Sequence, residues 1–137
     1  MADYNPFSEV MAQGQSNGVA AGSDDTFSLE PARFTGKVTG INYAPEAAST
    51  GDNTNARTFT LVNKGAAGSG TTVIGTLALT TGVNLVAFDE KPFTLSATAA
   101  DLLVTAGDVL ALVSTHTGTG TADPGGTVKV IGNRTQG

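Results

Sequence analysis

The sequence predicts an all-β protein: one β-sandwich domain preceded by an extended N-terminal arm. From Phe34 onward Thr, Val and Gly dominate, apolar residues come in short runs, and turn residues recur roughly every eight to twelve positions. No internal repeat or heptad interrupts that grammar. The first thirty residues differ, and Gln13–Asp25 has the composition of a flexible linker. The expected division is therefore an arm over residues 1–30 and a sandwich over residues 31–137. About a hundred residues is the usual size of such a sandwich.

Seven strands are expected. Phe34–Tyr43 comes first and is closed by Ala44-Pro45. Arg57–Asn63 follows, with Phe59 and Leu61 on one face and Thr58 and Thr60 on the other, the alternation of a half-buried strand. Val73–Thr80 repeats the pattern, with Val73, Leu77 and Leu79 on a shared face. Gly75 interrupts it, which predicts a bulge or a close backbone approach. Asn84–Phe88 and Phe93–Ser96 flank Asp89-Glu-Lys-Pro92. Val109–Ser114 is apolar on both faces and is placed centrally, and Thr127–Ile131 ends the domain. One short helix is expected where Thr98-Ala-Ala-Asp101 resembles a capping box, anchored by Leu102 and Leu103 and stopped at Gly107. Phe34, Phe59, Phe88 and Phe93 are assigned to the core.

In the arm, Asn5-Pro6 forms an N-cap and N1 pair, and Phe7, Val10 and Met11 fall at i, i+3 and i+4. A helix of one or two turns would present them as a small apolar stripe, too short to hold alone in water. Ordering such a segment costs roughly 1–2 kcal/mol per residue, and leaving Phe7, Phe27 and Leu29 in water forgoes roughly 1.5–3 kcal/mol each. Phe7, Val10, Met11, Phe27 and Leu29 are therefore the candidate interface residues. The expected holder is a neighbouring molecule; the alternative is an arm packed on its own domain.

Composition narrows the function. Net charge is −5, and the seven Lys and Arg residues are scattered without a run. That argues against nucleic acid, whose recognition needs clustered cations. With no cysteine, disulfides and thiolate chemistry are excluded. No export signal opens the chain and no apolar run approaches the roughly 20 residues of a spanning helix. A soluble protein made in a cytosol, with no membrane partner, is expected.

Candidate sites are few. His116 is the one histidine, and no Gly-x-Ser-x-Gly elbow or comparable frame places a nucleophile near it, so no catalytic residue is expected. Gly65, Gly68 and Gly70 lead into a strand and lack the Gly-Lys-Ser/Thr ending of a phosphate loop, which leaves a hairpin loop. Asp52, Asn53 and Asn55 lack the spacing and closing glutamate of a calcium loop and read as a solvated turn. Asn133-Arg-Thr135 matches a glycosylation sequon by chance. No metal and no cofactor are expected. Tryptophan is absent and tyrosines number two, so a host glycan partner has no support in the aromatics.

The stretches Arg57–Thr72, Ala106–Ser114 and Gly118–Gly126 resemble the decoration (cement) proteins that coat tailed-bacteriophage heads, a match over about residues 57–131. Gly/Thr/Val-rich β sequence of this kind also recurs in tail and fibre proteins. The resemblance implies a jelly-roll-like sandwich that forms homotrimers on the outer surface of the virion, made in the bacterial host cytoplasm. It implies bridging of major capsid protein subunits and no catalytic residues. A tail or fibre component that binds a host surface is the alternative.

Overall fold

A computed structural model describes residues 3–4 and 8–136. It is an all-β sandwich of two antiparallel sheets. The first holds β1 (Asp3–Tyr4), β2 (Glu9–Ser16), β4 (Gly36–Pro45), β7 (Lys91–Pro92), β9 (Leu103–Val104) and β11 (Gly126–Gln136). The second runs in the order β3 (Asp25–Ser28), β10 (Leu110–His116), β5 (Arg57–Asn63), β6 (Thr72–Leu79) and β8 (Thr94–Leu95). Pairing is nested: β4 lies beside β11 in one sheet while β5 lies beside β10 in the other. This nesting is consistent with a jelly-roll-like sandwich. Among the described residues, no helix is long and apolar enough to cross a membrane.

Inward-facing residues of both sheets fill one core. Val38, Ile41 and Tyr43 from β4 and Val128 and Val130 from β11 meet Phe59, Leu61, Ile74, Leu79, Leu110 and Leu112 from the opposite sheet. Tyr43 and Phe59 pack edge to face with ring centroids 4.9 Å apart. Gly75 sits at a bulge, because Leu61 pairs with Gly75 and Val62 with Val73, leaving Ile74 extra. The slip buries Ile74 and turns Val73 outward, so the expected shared face of Val73, Leu77 and Leu79 is broken. A Cβ on Gly75 would lie 2.7 Å from Ile41 Cδ1, so the bulge packs closely against the opposite sheet.

The N-terminal residues depart from expectation. Residues 9–16 are a strand, not a helix, and pair antiparallel with β11 from Gly126 to Gly132. The chain then crosses to the other sheet as β3, paired with β10. Between them, Leu29–Arg33 closes the side of the sandwich. Arg33 N–H donates to Met11 O at 2.9 Å, Glu30 N–H to Gln13 O at 3.1 Å, and Leu29 N–H to Leu110 O at 2.8 Å. The outer edge of β2 is thus covered, which removes a template for edge pairing. Within the stretch expected as an arm, β2 belongs to one sheet and β3 to the other.

A buried cation fastens this segment. Arg57 is fully buried and donates five bonds. Nε reaches Thr121 O at 2.9 Å, Nη1 reaches Ser23 O at 2.9 Å and Ser114 Oγ at 3.2 Å, and Nη2 reaches Ala20 O at 3.0 Å and Ala21 O at 3.2 Å. All five guanidinium donors are satisfied, four of them by backbone carbonyls. Val19 and Asp123 exchange two backbone bonds of 3.0 Å beside it. The Asp123 carboxylate in turn accepts the Tyr43 hydroxyl at 2.6 Å and Gly125 N–H at 3.0 Å. Burial, then the Asp123 bond and charge, raise the Tyr43 phenol far above its ordinary value, so it stays protonated.

The expected helix at 98–101 is a short 3-10 turn, Ala99–Leu102, and Thr98 makes no side-chain cap. Asp101 instead accepts the Ser96 hydroxyl at 2.7 Å. The glycine loop after β5 is a hairpin loop as expected, with positive φ at Gly65 and Gly68.

Candidate docking surface

Strand β11 carries the site. Its register jumps on both sides at one level. Toward β2, Val130 pairs with Ala12 and Ile131 with Val10, leaving Met11 extra. Toward β4, Ile131 pairs with Gly40 and Gly132 with Val38, leaving Thr39 extra. Two bulges at the same height, one on either side of Ile131, bend the sheet locally. Met11 and Ala12 both turn into the core as a result, and Val10 comes to the outer face beside Ile131.

Beyond Gly40 the outer face opens into a depression of about 520 Å³. Half-buried Ile131 and Leu95 and exposed Pro92 give it apolar surface, Ser8, Thr39 and Asn42 give it polar surface, and the buried core residues Ile41 and Phe93 back it. Phe93 N–H donates to Ile41 O at 2.9 Å, which holds the β7–β8 segment as the far wall. An ideal Cβ on Gly40 would meet nothing within 4 Å, so the space is open. Among the described residues, no charged side chain lines it. Such a hollow takes an apolar side chain; it offers no group to hold a phosphate or a metal.

The interface residues expected from sequence fall in different places. Phe7 lies outside the described residues. Val10 is half-buried at the outer face, and Phe27 is half-buried in β3 opposite Leu112. Met11 and Leu29 are 0% and 3% exposed within the chain itself. Met11 packs inward from the β2–β11 pair, and Leu29 packs inward where its N–H bonds Leu110 O. The pair's backbone bonds and the burial of Met11 supply, within one chain, what offsets the ordering entropy.

Sequence reasoning missed the most exposed apolar element among the described residues. Phe88, expected in the core, is 82% exposed, and Val86 beside it is 57% exposed. Asn84–Phe88 is not a strand; only Leu85 bridges, to Ser49. Phe88 has φ 62°, the left-handed region. For a bulky residue that conformation costs about 1–2 kcal/mol, and the ring left in water forgoes about 1.5–3 kcal/mol more. The loop is nonetheless held: Phe88 N–H donates to Pro45 O at 2.8 Å and Asp89 N–H to Val86 O at 3.1 Å. The available signal was the charged run Asp89-Glu-Lys91 directly after it, which marks the run's end as solvent-facing.

His116 pairs with a carboxylate. Its Nδ1 lies 2.6 Å from Asp24 Oδ1, and its backbone N–H donates to the same oxygen at 2.9 Å. These two bonds hold the exposed Asp24 carboxyl below the usual carboxylate range, with the Arg57 charge a smaller contribution. Among the described residues, no hydroxyl is hydrogen-bonded to His116, and no group of three or more His, Asp or Glu is placed to hold a metal. Asp52 folds its own turn, accepting Thr54 and Asn55 N–H at 2.7 Å each, while Asn53 and Asn55 tie it to Thr81 and Thr119.

No protein-family model matches the chain, and no curated protein matches it. Among solved structures it is similar to a chain in the structure of infectious bursal disease virus Gx strain. The TM-score is 0.44 at 15% identity, over 100% of this chain and 34% of that one. A chain in the structure of the Gt strain gives a TM-score of 0.30 at 18% identity, over 93% of this chain and 30% of that one. The chain spans about a third of the length of the viral chains it resembles.

Proposed function

We propose that the chain is a non-enzymatic structural component of a virion, specifically a decoration protein on the outside of a tailed-bacteriophage head. In this reading it forms a homotrimer that bridges major capsid protein subunits. The observation that carries a contact role is the Val86–Phe88 loop. A strained, fully presented aromatic beside an exposed valine suits a protein partner, since contiguous exposed apolar groups mark interaction sites. The head identity comes from the sequence resemblance over residues 57–131. Residues 1–30 would add to the capsid contact through Val10 and Phe27, the two candidates among the described residues that keep exposed surface.

A tail or fibre component is the second reading, favoured by the Gly/Thr-rich loops. Density maps of particles containing the chain separate the two. A copy number that scales with the head's capsid subunits, on the outer surface, supports the first. A few copies confined to the tail support the second, and absence from particles overturns both.

A further inference from the structure

We propose that the Val86–Phe88 loop of one copy seats in the hollow beside Gly40 of a second copy, so that the chain associates with itself through a knob-in-pocket contact. This deepens the structural reading above and rests on it, because it names a second copy as one partner of the docking surface. The knob is preorganised. Leu85 is buried and exchanges backbone bonds of 2.8 and 3.1 Å with Ser49, and Phe88 is fixed to Pro45, so the ring is presented at little further entropic cost. The pocket, about 520 Å³, offers apolar surface from Ile131, Leu95 and Pro92 and is roomy enough for a phenyl ring with the Val86 methyls beside it.

The ring cannot reach its own pocket. Phe88 is tied to Pro45, whereas the hollow lies at Thr39–Asn42, three to six residues back along β4. At about 3.3 Å per residue the separation is roughly 10–20 Å. Charge favours a copy of the same chain. Asp89 follows the knob, and Lys37 precedes Thr39 by two residues on the outward side of β4; among the described residues neither makes an ion pair. Docking would bring these opposite charges together at the rim and so fix the orientation. Knob and pocket are different surfaces, so the contact is heterologous and either closes into a ring or runs on as a chain.

Two variants test this on the full chain. Phe88→Asp removes the knob and keeps the pocket. Gly40→Leu fills the pocket and keeps the knob; Thr39→Tyr replaces it if the leucine variant does not show the wild-type circular dichroism spectrum. Light scattering after size exclusion, over a concentration series, should find wild-type oligomers and each variant weakened by roughly thirtyfold or more in dissociation constant. An equimolar mixture of the two variants should form heterodimers, because one supplies the knob and the other the pocket. Wild-type oligomers that survive Phe88→Asp, or folded variants that stay monomeric when mixed, overturn the contact. A wild type that is monomeric alone yet loses particle binding on Phe88→Asp would also overturn it, assigning the knob to a capsid partner. Failure of self-association with the chain still found on heads sinks this contact and the trimer but leaves the head location standing, whereas self-association by a chain absent from particles sinks only the virion reading.

Discussion

Replacing Arg57 with methionine isolates what the buried guanidinium does. Methionine keeps most of the apolar stem and withdraws all five donors. The Ala20 and Ser23 carbonyls belong to exposed residues, and with the Ala21 carbonyl between them they can turn to water, whereas the Ser114 hydroxyl is fully buried and the Thr121 carbonyl sits in a half-buried loop. Two stranded acceptors at about 1–3 kcal/mol each give about 2–6 kcal/mol. Relief of the cation's own desolvation pulls the other way, so a loss of about 2–4 kcal/mol is expected. Arg57→Lys should do no better, because the charge stays buried while the donors fall from five in a fork to three on a point. Urea unfolding followed by far-UV circular dichroism measures the loss. Amide exchange over residues 18–24 should speed up in both variants, since that segment loses its anchor. A methionine variant within about 0.5 kcal/mol of wild type, with unchanged exchange, would refute the anchoring role.

Asp24 and Tyr43 give pH signatures of opposite sign. Asp24 is held below its ordinary value of 3.8, so its contribution is present above that pH and fades as pH falls through the lower folded value. The stability gap between wild type and Asp24→Asn should therefore shrink on acidification below 3.8, read from melting curves. The Tyr43 phenol is raised above its ordinary value of 10.0, so its contribution is complete below that pH and is lost above it. Ultraviolet difference titration between wild type and Tyr43→Phe should show no phenolate signal from Tyr43 near pH 10 while the fold persists. At neutral pH Tyr43→Phe should cost about 1–3 kcal/mol in urea unfolding, because Asp123 is left with one partner. Gly126 has φ 152°, and a Cβ there would lie 2.2 Å from Ala44 O. Gly126→Ala should lower stability by about 2 kcal/mol or more, whereas Gly22→Ala, with nothing within 4 Å, should change it by less than about 0.5 kcal/mol.

The central strands were legible because their side chains alternate against one core. Arg57–Asn63 has the expected bounds, and the strand ending at Ser114 in the sequence reading runs on to His116 between β3 and β5. The N-terminal strand was not legible. The bulge at Met11 puts two adjacent residues into the core, and the resulting spacing of Val10 and Met11 imitates a helical stripe. Phe88 misled for a related reason: Val86 and Phe88 have the period of a half-buried strand, but no neighbouring strand pairs with them, and their exposure follows from the turn at Pro45 and Asp89. Arg57 looked like a charge at a strand start. Its burial depends on carbonyls from two loops distant in sequence, which local pattern cannot encode. The docking hollow was invisible for the same reason, being made by two register slips and a crossing segment.

Strand β2 lies against β11, so stretches far apart in sequence are neighbours in one sheet. A ribosome delivers these partners at well-separated times. Until the residues past Gly126 emerge, Met11 and Ala12 have no strand to lie on, and Val38 and Ile41 face a gap. Closure of the sandwich is therefore governed by long-range pairing, which is slow and leaves sticky edges waiting.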